Sequence, residues 1–152
     1  MIIRNTKEFI NVINDKKILS VDLGKKKVGL AISNNKHTIT TPIKNIQRNK
    51  LFYENIKKII LEYNVGAILV GLPLNNDKSL NKISQFIVDI SKNMDLYLIE
   101  NKINLPICYW DENFSSFEAE TLVRDFYKDK KIDKFAAKIF LDDFIRENTL
   151  YR

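Results

Sequence analysis

Cysteine, histidine, glycine and proline are all scarce in this chain of 152 residues. With Cys108 as its one cysteine, the chain can form no internal disulfide, which indicates a reducing compartment. The one histidine, His37, stands in a turn-like polar run, where we expect it to be solvated and too remote to activate a thiol. We therefore interpret Cys108 as a buried thiol rather than a nucleophile. Four glycines and three prolines provide no long flexible linker, and the length corresponds to one domain.

Long apolar runs are also missing. No stretch approaches the roughly 18 apolar residues of a membrane-spanning helix. The first residues lack the apolar run and the small-residue cleavage site of a secretory signal. We therefore expect a cytoplasmic protein that makes no use of a membrane. A hydrophobic fraction of 45% is enough for a packed core and excludes a disordered chain.

The charge balance is positive, because 25 lysines and arginines outnumber 19 aspartates and glutamates and give a net charge of +6. Such a charge favours contact with polyanions. Isoleucine, lysine and asparagine make up 59 of the residues, as expected of A/T-rich codons. The positive charge alone therefore does not identify nucleic acid as the partner.

Hydrophobic periodicity predicts an α/β domain over residues 18–152, preceded by an N-terminal extension over 1–17. We expect a short helix over 6–14, capped by Thr6. A further helix is expected over 79–93, with Ser79 as its cap and Leu80, Ile83, Ile87 and Ile90 facing inward. This order predicts a mixed sheet with helices on both faces. The predicted strands cover 18–22, 28–33, 38–46, 67–70 and 106–110, and the later helices cover 50–64, 79–93, 115–127 and 133–147.

Acidic residues stand where an α/β sheet places its sites, at the carboxyl ends of strands. Asp22 ends the first strand, Asp111 and Glu112 follow the last strand, and Asp133 begins the last helix. Any one of them alone is better explained as a cap or a solvated side chain. Because converging carboxylates repel one another, they need cations, and oxygen ligands suit Mg²⁺ or Mn²⁺. Two such ions about 4 Å apart can hydrolyse a phosphodiester, which predicts a metal-dependent nuclease.

Two details refine this candidate site. Strand alternation puts Trp110 and Glu112 on one face and Asp111 on the other, so Asp111 ranks below Glu112 as a ligand. Trp110 itself is either a core aromatic or a base-stacking residue. We expect the lysines on either side of the acidic centre to hold the phosphate backbone; they are Lys25, Lys26, Lys27, Lys130 and Lys131.

Four segments resemble the YqgF/RuvX family of the ribonuclease H-like superfamily. They are DLGKKKVGLA at 22–31, VGLPLNND at 70–77, WDENFSSFEA at 110–119 and DKFAAKIFL at 133–141. The resemblance implies a five-stranded sheet of order 3-2-1-4-5, with Asp22, Glu112 and Asp133 at the acidic positions of the family. It also implies a nuclease, either for 5′-end maturation of 16S ribosomal RNA or for Holliday junctions. It extends over about residues 18–146, and residues 1–17 have no counterpart in it.

The chain departs from the family pattern at several positions. Lys25 stands where the family usually has threonine, Asn113 where it has arginine, and Lys78 where it has glycine. Loss of the arginine removes a planar, bidentate phosphate contact. Ser115 and its neighbour replace two threonines and keep the hydroxyls, so we count Ser115 among the nucleic-acid-binding residues. Asp77 matches a family position but could equally shape the loop after strand 67–70.

Three readings of the function stay open at this point. The leading one is an endonuclease acting on precursor ribosomal RNA, and its close alternative is a resolvase acting on branched DNA through the same carboxylates. A non-catalytic nucleic-acid-binding or transcription-associated protein is the third. A sugar-kinase-like enzyme would need a second, similar domain, for which this chain is too short. We expect a monomer or a homodimer.

Overall fold

The computed structural model describes residues 1–111 and 132–148, with only the backbone for 132–134. The predicted helix over 115–127 lies outside these ranges. None of the helices in the described part of the chain is long and apolar enough to cross a membrane. The elements are α1 (Thr6–Ile13), β1 (Lys17–Leu23), β2 (Lys27–Ser33), β3 (Thr40–Gln47), α2 (Phe52–Tyr63), β4 (Val65–Leu72), α3 (Lys82–Glu100), β5 (Ile107–Asp111) and α4 (Ile132–Glu147).

The five strands form one mixed sheet in the order β3-β2-β1-β4-β5, which confirms the predicted order. The first three strands form an antiparallel meander, whereas β1, β4 and β5 are parallel. The carboxyl ends of β1, β4 and β5 consequently meet at one edge of the sheet. This edge is where open α/β sheets carry their sites.

Helices cover both faces of the sheet, as predicted. Alternate residues of β1 and β4 belong to two separate core clusters, because successive side chains on a strand point to opposite faces. Val21 and Val70 pack with α2 and α3, and Ile18 and Leu69 pack with α1 and α4. We refer to these sides as the α3 face and the α4 face.

The N-terminal extension is an integral part of the core. The backbone of Ile3 donates to the carbonyl of Ile107 at 2.7 Å, so the first residues add to the outer side of β5 and cover an edge that would otherwise be open to pairing. Phe9 and Ile13 of α1 are buried. Asn5 caps this helix, because Thr6 is already its first helical residue.

The start of α3 differs from the prediction. The helix begins at Lys82, after Asn81, whose side chain accepts from the backbone N–H of Ser84 while the Ser84 hydroxyl lies 2.6 Å from the Asn81 nitrogen. This is a capping box, which uses asparagine and serine here. Leu80 and Ile83 are 47% and 58% exposed, so the expectation that they face inward was wrong. The buried face of α3 consists of Ser84, Ile87, Ser91, Met94 and Leu98.

His37 and Cys108 both have structural surroundings. His37 is only 5% exposed and its Nε2 lies 2.7 Å from the carbonyl oxygen of Lys16, so the expectation of a solvated ring was wrong. Cys108 is fully buried, as expected. Burial raises the pKa of the Cys108 thiol to about 11, which keeps it protonated at neutral pH.

Candidate active site

Asp22 lies at the shared carboxyl edge of the three parallel strands. It pairs with Gly29 of β2, one position beyond the register pair Val21–Val70 between β1 and β4. Its side chain is half-buried. Because Asp22 is two residues beyond Ser20 on the same strand, both side chains face the α4 side of the sheet.

A buried hydrogen bond attaches α4 to β1. The Ser20 hydroxyl donates to the carbonyl of Ala137 at 2.9 Å, and both residues are fully buried. Further along α4, Asp142 accepts a hydrogen bond from Thr40, which pairs with Ser33 at the opposite edge of the sheet from Asp22. The helix therefore runs away from the edge that carries Asp22. Its first turn lies toward that edge.

Asp133 belongs to this first turn, since α4 begins at Ile132. Only the backbone of Asp133 is described. It precedes Ala137 by four residues, which is about one turn of an α-helix. The contact between Ser20 and Ala137 thus brings the backbone of Asp133 toward the end of β1, as required if Asp22 and Asp133 are to share a metal.

A tight hairpin follows Asp22 and presents the first lysine cluster. The backbone N–H of Gly24 donates to the carbonyl of Lys27 at 3.0 Å, with Lys25 and Lys26 exposed at the tip. A Cβ on residue 24 would lie 2.6 Å from that carbonyl oxygen, so only glycine fits. The glycine therefore permits the tight turn that carries the lysine cluster beside the end of β1.

Arg48 secures this hairpin, although nothing in the sequence pattern singled it out. Its Nε donates to the carbonyl of Lys25 at 2.6 Å, and its backbone N–H donates to the carbonyl of Lys26 at 2.8 Å. Its guanidinium carbon lies 4.4 Å from the centre of the Phe86 ring on α3. Arg48 thus joins the lysine hairpin to α3 through a cation–π contact.

Asp111 faces the other side of the sheet from Asp22. It pairs in register with Leu72, whose side chain belongs to the α3-face core, and its carboxylate lies 2.8 Å from Nζ of Lys78. The preceding residue, Trp110, packs edge-on against Phe144 of α4. The alternation predicted for the end of β5 is therefore present, and Asp111 lies apart from the Asp22 side.

The loop after β4 explains Lys78 and Asp77. Lys78 adopts a left-handed backbone with φ of 68°, a conformation that glycine takes without strain, which accounts for glycine being usual there in the family it resembles. Asp77 accepts hydrogen bonds from the backbone and the hydroxyl of Ser79, which hold the pKa of its carboxyl below the usual range. In this structure Asp77 shapes the loop.

Of the remaining predicted site residues, Lys27 lies in the described part of the chain. Lys27 is half-exposed at the base of the hairpin. In the described part of the chain, no three His, Cys, Asp or Glu side chains come together as a metal site. The side chains of Glu112 and Asp133, two of the three predicted ligands, lie outside the described part of the chain. Glu112, Ser115, Lys130 and Lys131 lie outside the described residues.

Comparisons with known proteins show which family and which relatives the chain resembles in sequence. Residues 16–147 match the family model described as "RuvX: Holliday junction resolvase". A Mycoplasma mobile protein named "Putative pre-16S rRNA nuclease" is 36% identical over 134 residues, covering 84% of this chain and 90% of its own. A protein of the same name from Orientia tsutsugamushi is 34% identical over 153 residues, covering 96% and 94%.

Solved structures support the fold alone. The Thermus thermophilus RuvC structure superposes with a TM-score of 0.57 at 11% identity, covering 88% of this chain and 97% of that one. RuvC from T. thermophilus in complex with a Holliday junction substrate gives a TM-score of 0.55 at 10% identity, covering 88% and 96%. Both agree with the ribonuclease H-like arrangement predicted from the sequence.

Proposed function

Because the chain belongs to the family described as RuvX, Holliday junction resolvase, we propose that it is a metal-dependent endonuclease that matures the 5′ end of precursor 16S ribosomal RNA in the cytoplasm. The observation that carries the proposal is the position of Asp22. Asp22 is the penultimate residue of β1, and its side chain lies on the face to which the Ser20–Ala137 hydrogen bond attaches α4, beside a hairpin tipped with lysines. The RNA substrate is taken from the name "Putative pre-16S rRNA nuclease", which the two relatives described above share.

The donor chemistry of this edge fits a hard divalent cation. We assign Asp22, Glu112 and Asp133 as the ligands, because carboxylate oxygens suit Mg²⁺ and Mn²⁺. Bound there, one or two ions would supply an activated water and charge stabilisation of the leaving oxygen. The ion pair of Asp111 with Lys78 on the α3 face supports Glu112, two residues beyond Trp110 in the sequence, as the ligand that follows β5.

The lysine hairpin would hold the nucleic-acid backbone. Lys25 and Lys26 are exposed at its tip, where their ammonium groups can approach phosphates without losing hydration. Contacts of this kind position a strand without reading its sequence. We assign Ser115, Lys130 and Lys131 to the same role from sequence alone. Each lysine–phosphate contact would make binding weaken with added salt.

A four-way DNA junction is the second candidate substrate, favoured by the printed description of the matching family model. The same carboxylates would serve both substrates, because the metal-assisted hydrolysis of a phosphodiester is common to them. A backbone-directed hairpin does not distinguish RNA from DNA. The two substrates therefore belong in one experiment.

The test compares the wild-type protein with Asp22→Asn and with Asp89→Asn, an exposed aspartate on α3 as the matched control. Labelled precursor RNA and a four-way DNA junction are incubated with Mg²⁺ or with a chelator. We expect Asp22→Asn to lose at least about 100-fold in cleavage rate, since even outer-shell changes at metal sites cost about 10–100-fold. Chelation should have the same effect, and Asp89→Asn should cleave normally.

Three outcomes would contradict the proposal. Equal cleavage by wild type and Asp22→Asn would show that the site lies elsewhere. Failure of the wild type to cleave either substrate with Mg²⁺ or Mn²⁺, while still binding one, would favour a non-catalytic nucleic-acid-binding protein. Cleavage of the DNA junction alone would establish the resolvase.

A further inference from the structure

A pocket opens on the α3 face beside the lysine hairpin, and the proposed chemistry does not use it. Its volume is about 510 Å³, within the roughly 300–1,000 Å³ of pockets that bind small organic groups. Leu23, Ile83 and Phe86 supply its apolar walls, and Lys25, Arg48 and Lys82 supply three cationic side chains. We call it the β1-turn pocket. None of the described residues that line it is acidic.

The location of the pocket connects it to the candidate active site. Leu23 lines the pocket and follows Asp22 directly on β1, so the two lie on opposite faces of the same strand end. Lys25 belongs to both features, since it lines the pocket and forms part of the lysine hairpin. A strand whose phosphates lie along the hairpin would pass between Asp22 and the pocket.

The lining of the pocket suits a flat, aromatic and electron-rich group. The guanidinium carbon of Arg48 lies over the Phe86 ring, 4.4 Å from its centre, so a planar cation and an aromatic ring lie together at the pocket. Ile83 is 58% exposed at the rim, where its side chain offers an apolar surface to a group that enters the pocket. Nucleobases stack on aromatic rings and on arginine planes in proteins that bind single strands.

From this combination we propose that the β1-turn pocket binds one unpaired nucleobase of the substrate strand, stacked on the Arg48–Phe86 pair and flanked by Ile83. Lys25 and Lys82 would contact the adjoining phosphates. The proposal rests on the proposed nuclease function, and it makes the preferred substrate a single-stranded or unpaired segment. A base inside a duplex could not enter, because its faces are already stacked.

The experiment separates base recognition from phosphate recognition. Affinity is measured by fluorescence anisotropy in metal-free buffer for a labelled oligothymidine strand and for an abasic strand of equal length. We expect the wild type to prefer the thymidine strand by about tenfold, as the stacking of one base allows. Phe86→Leu and Ile83→Ser should bring the ratio of the two affinities close to one. Lys82→Gln should weaken both strands by the same factor.

Matched controls come from the same helix. Leu96 on α3 is also 58% exposed, and Lys92 is an exposed lysine, so Leu96→Ser and Lys92→Gln should leave both affinities unchanged. Because Ile83 is exposed, Ile83→Ser decides the question even if Phe86→Leu does not fold. Equal wild-type affinity for the two strands, or an equal effect of Leu96→Ser and Ile83→Ser, would overturn the proposal.

This test is independent of cleavage. Equal affinity of the wild type for the two strands, together with normal Mg²⁺-dependent cleavage, would rule out the pocket and leave the proposed nuclease function standing. A base preference without cleavage by the wild type would support the pocket and rule out the nuclease function, since it would identify a binding protein for unpaired nucleic acid.

Discussion

The hydrogen bond between Ser20 and Ala137 gives the sharpest test of how this fold positions its proposed site. Ser20 is fully buried, and its hydroxyl lies 2.9 Å from the Ala137 carbonyl and 3.3 Å from that of Ala31. A hydroxyl donates one proton, so the shorter contact receives it. Ser20→Ala removes this donor, and we expect a loss of about 1 kcal/mol in the free energy of unfolding.

Ser20→Val should have a larger and different effect. The valine methyl groups would be forced between β1 and α4, where overpacking costs about 1–3 kcal/mol. Since the first turn of α4 contains Asp133, a displaced helix would also separate Asp133 from Asp22. We therefore expect Ser20→Val to fold but to cleave more slowly than Ser20→Ala, which leaves the packing distance unchanged.

Urea unfolding followed by circular dichroism measures the stability change, and cleavage of labelled precursor RNA measures the functional one. Ser91→Ala and Ser91→Val are matched controls, because Ser91 is also fully buried but donates to Ile87 within its own helix, α3. They should lose stability and keep their cleavage rate. Wild-type cleavage by a destabilised Ser20→Val protein, or equal losses from Ser20→Val and Ser91→Val, would refute the positioning role.

Two further predictions concern the hairpin and the thiol. Gly24→Ala should lower stability by about 1–3 kcal/mol through the clash with the Lys27 carbonyl; circular dichroism melting and RNA binding by anisotropy should both show the loss, and an unchanged melting temperature would contradict it. Cys108 should react slowly with a thiol reagent in the folded protein at pH 8. Because burial raises the pKa of the Cys108 thiol from 9.0 to about 11, the folded state holds its proton more tightly than the unfolded chain. Stability should therefore fall as pH rises above 9, and the fall should be smaller in Cys108→Ala.

The places of most helices and strands followed from short-range patterns, whereas the sheet order was implied by the family resemblance. Within the described residues, strands and helices were predicted near their observed places, because each buries a face with a period of two or of 3.6 residues. The start of α3 was missed because Ser79 has the side chain of a good cap. In the folded loop, Asp77 and Asn75 take the hydrogen bonds of Ser79, so that Asn81 caps the helix instead. Competition of this kind depends on loop geometry, which the local pattern does not contain.

The candidate site likewise contains residues that the local sequence indicates and residues that only the packing of the fold brings together. Asp22 could be predicted because a strand end and a glycine turn are visible in sequence. Arg48 and Phe86 could not, since they come from separate elements and only the packing of α3 against the sheet brings the guanidinium over the ring. His37 was misjudged for a related reason. Its polar neighbours indicated an exposed turn, yet the left-handed turn folds the ring onto the carbonyl of Lys16.

At the carboxyl edge of the sheet, the cations and the proposed metal ligand Asp22 lie on different faces. This placement explains part of what the net charge of +6 does. On the α3 face, Lys78 pairs with the carboxylate of Asp111, whose side chain is only 7% exposed, so the acid there is neutralised in place. The left-handed backbone of Lys78 costs about 1–2 kcal/mol relative to glycine. The lysine side chain forms the ion pair with Asp111, which a glycine could not form. The α3 face is thereby left to the cations of the β1-turn pocket, and Asp22 stands on the opposite face with α4. If Glu112 and Asp133 lie beside Asp22 as proposed, the metal is coordinated on the α4 face of this strand end and phosphates are attracted on its α3 face. Neutralising Lys78 should then disturb nucleic-acid binding more than cleavage chemistry.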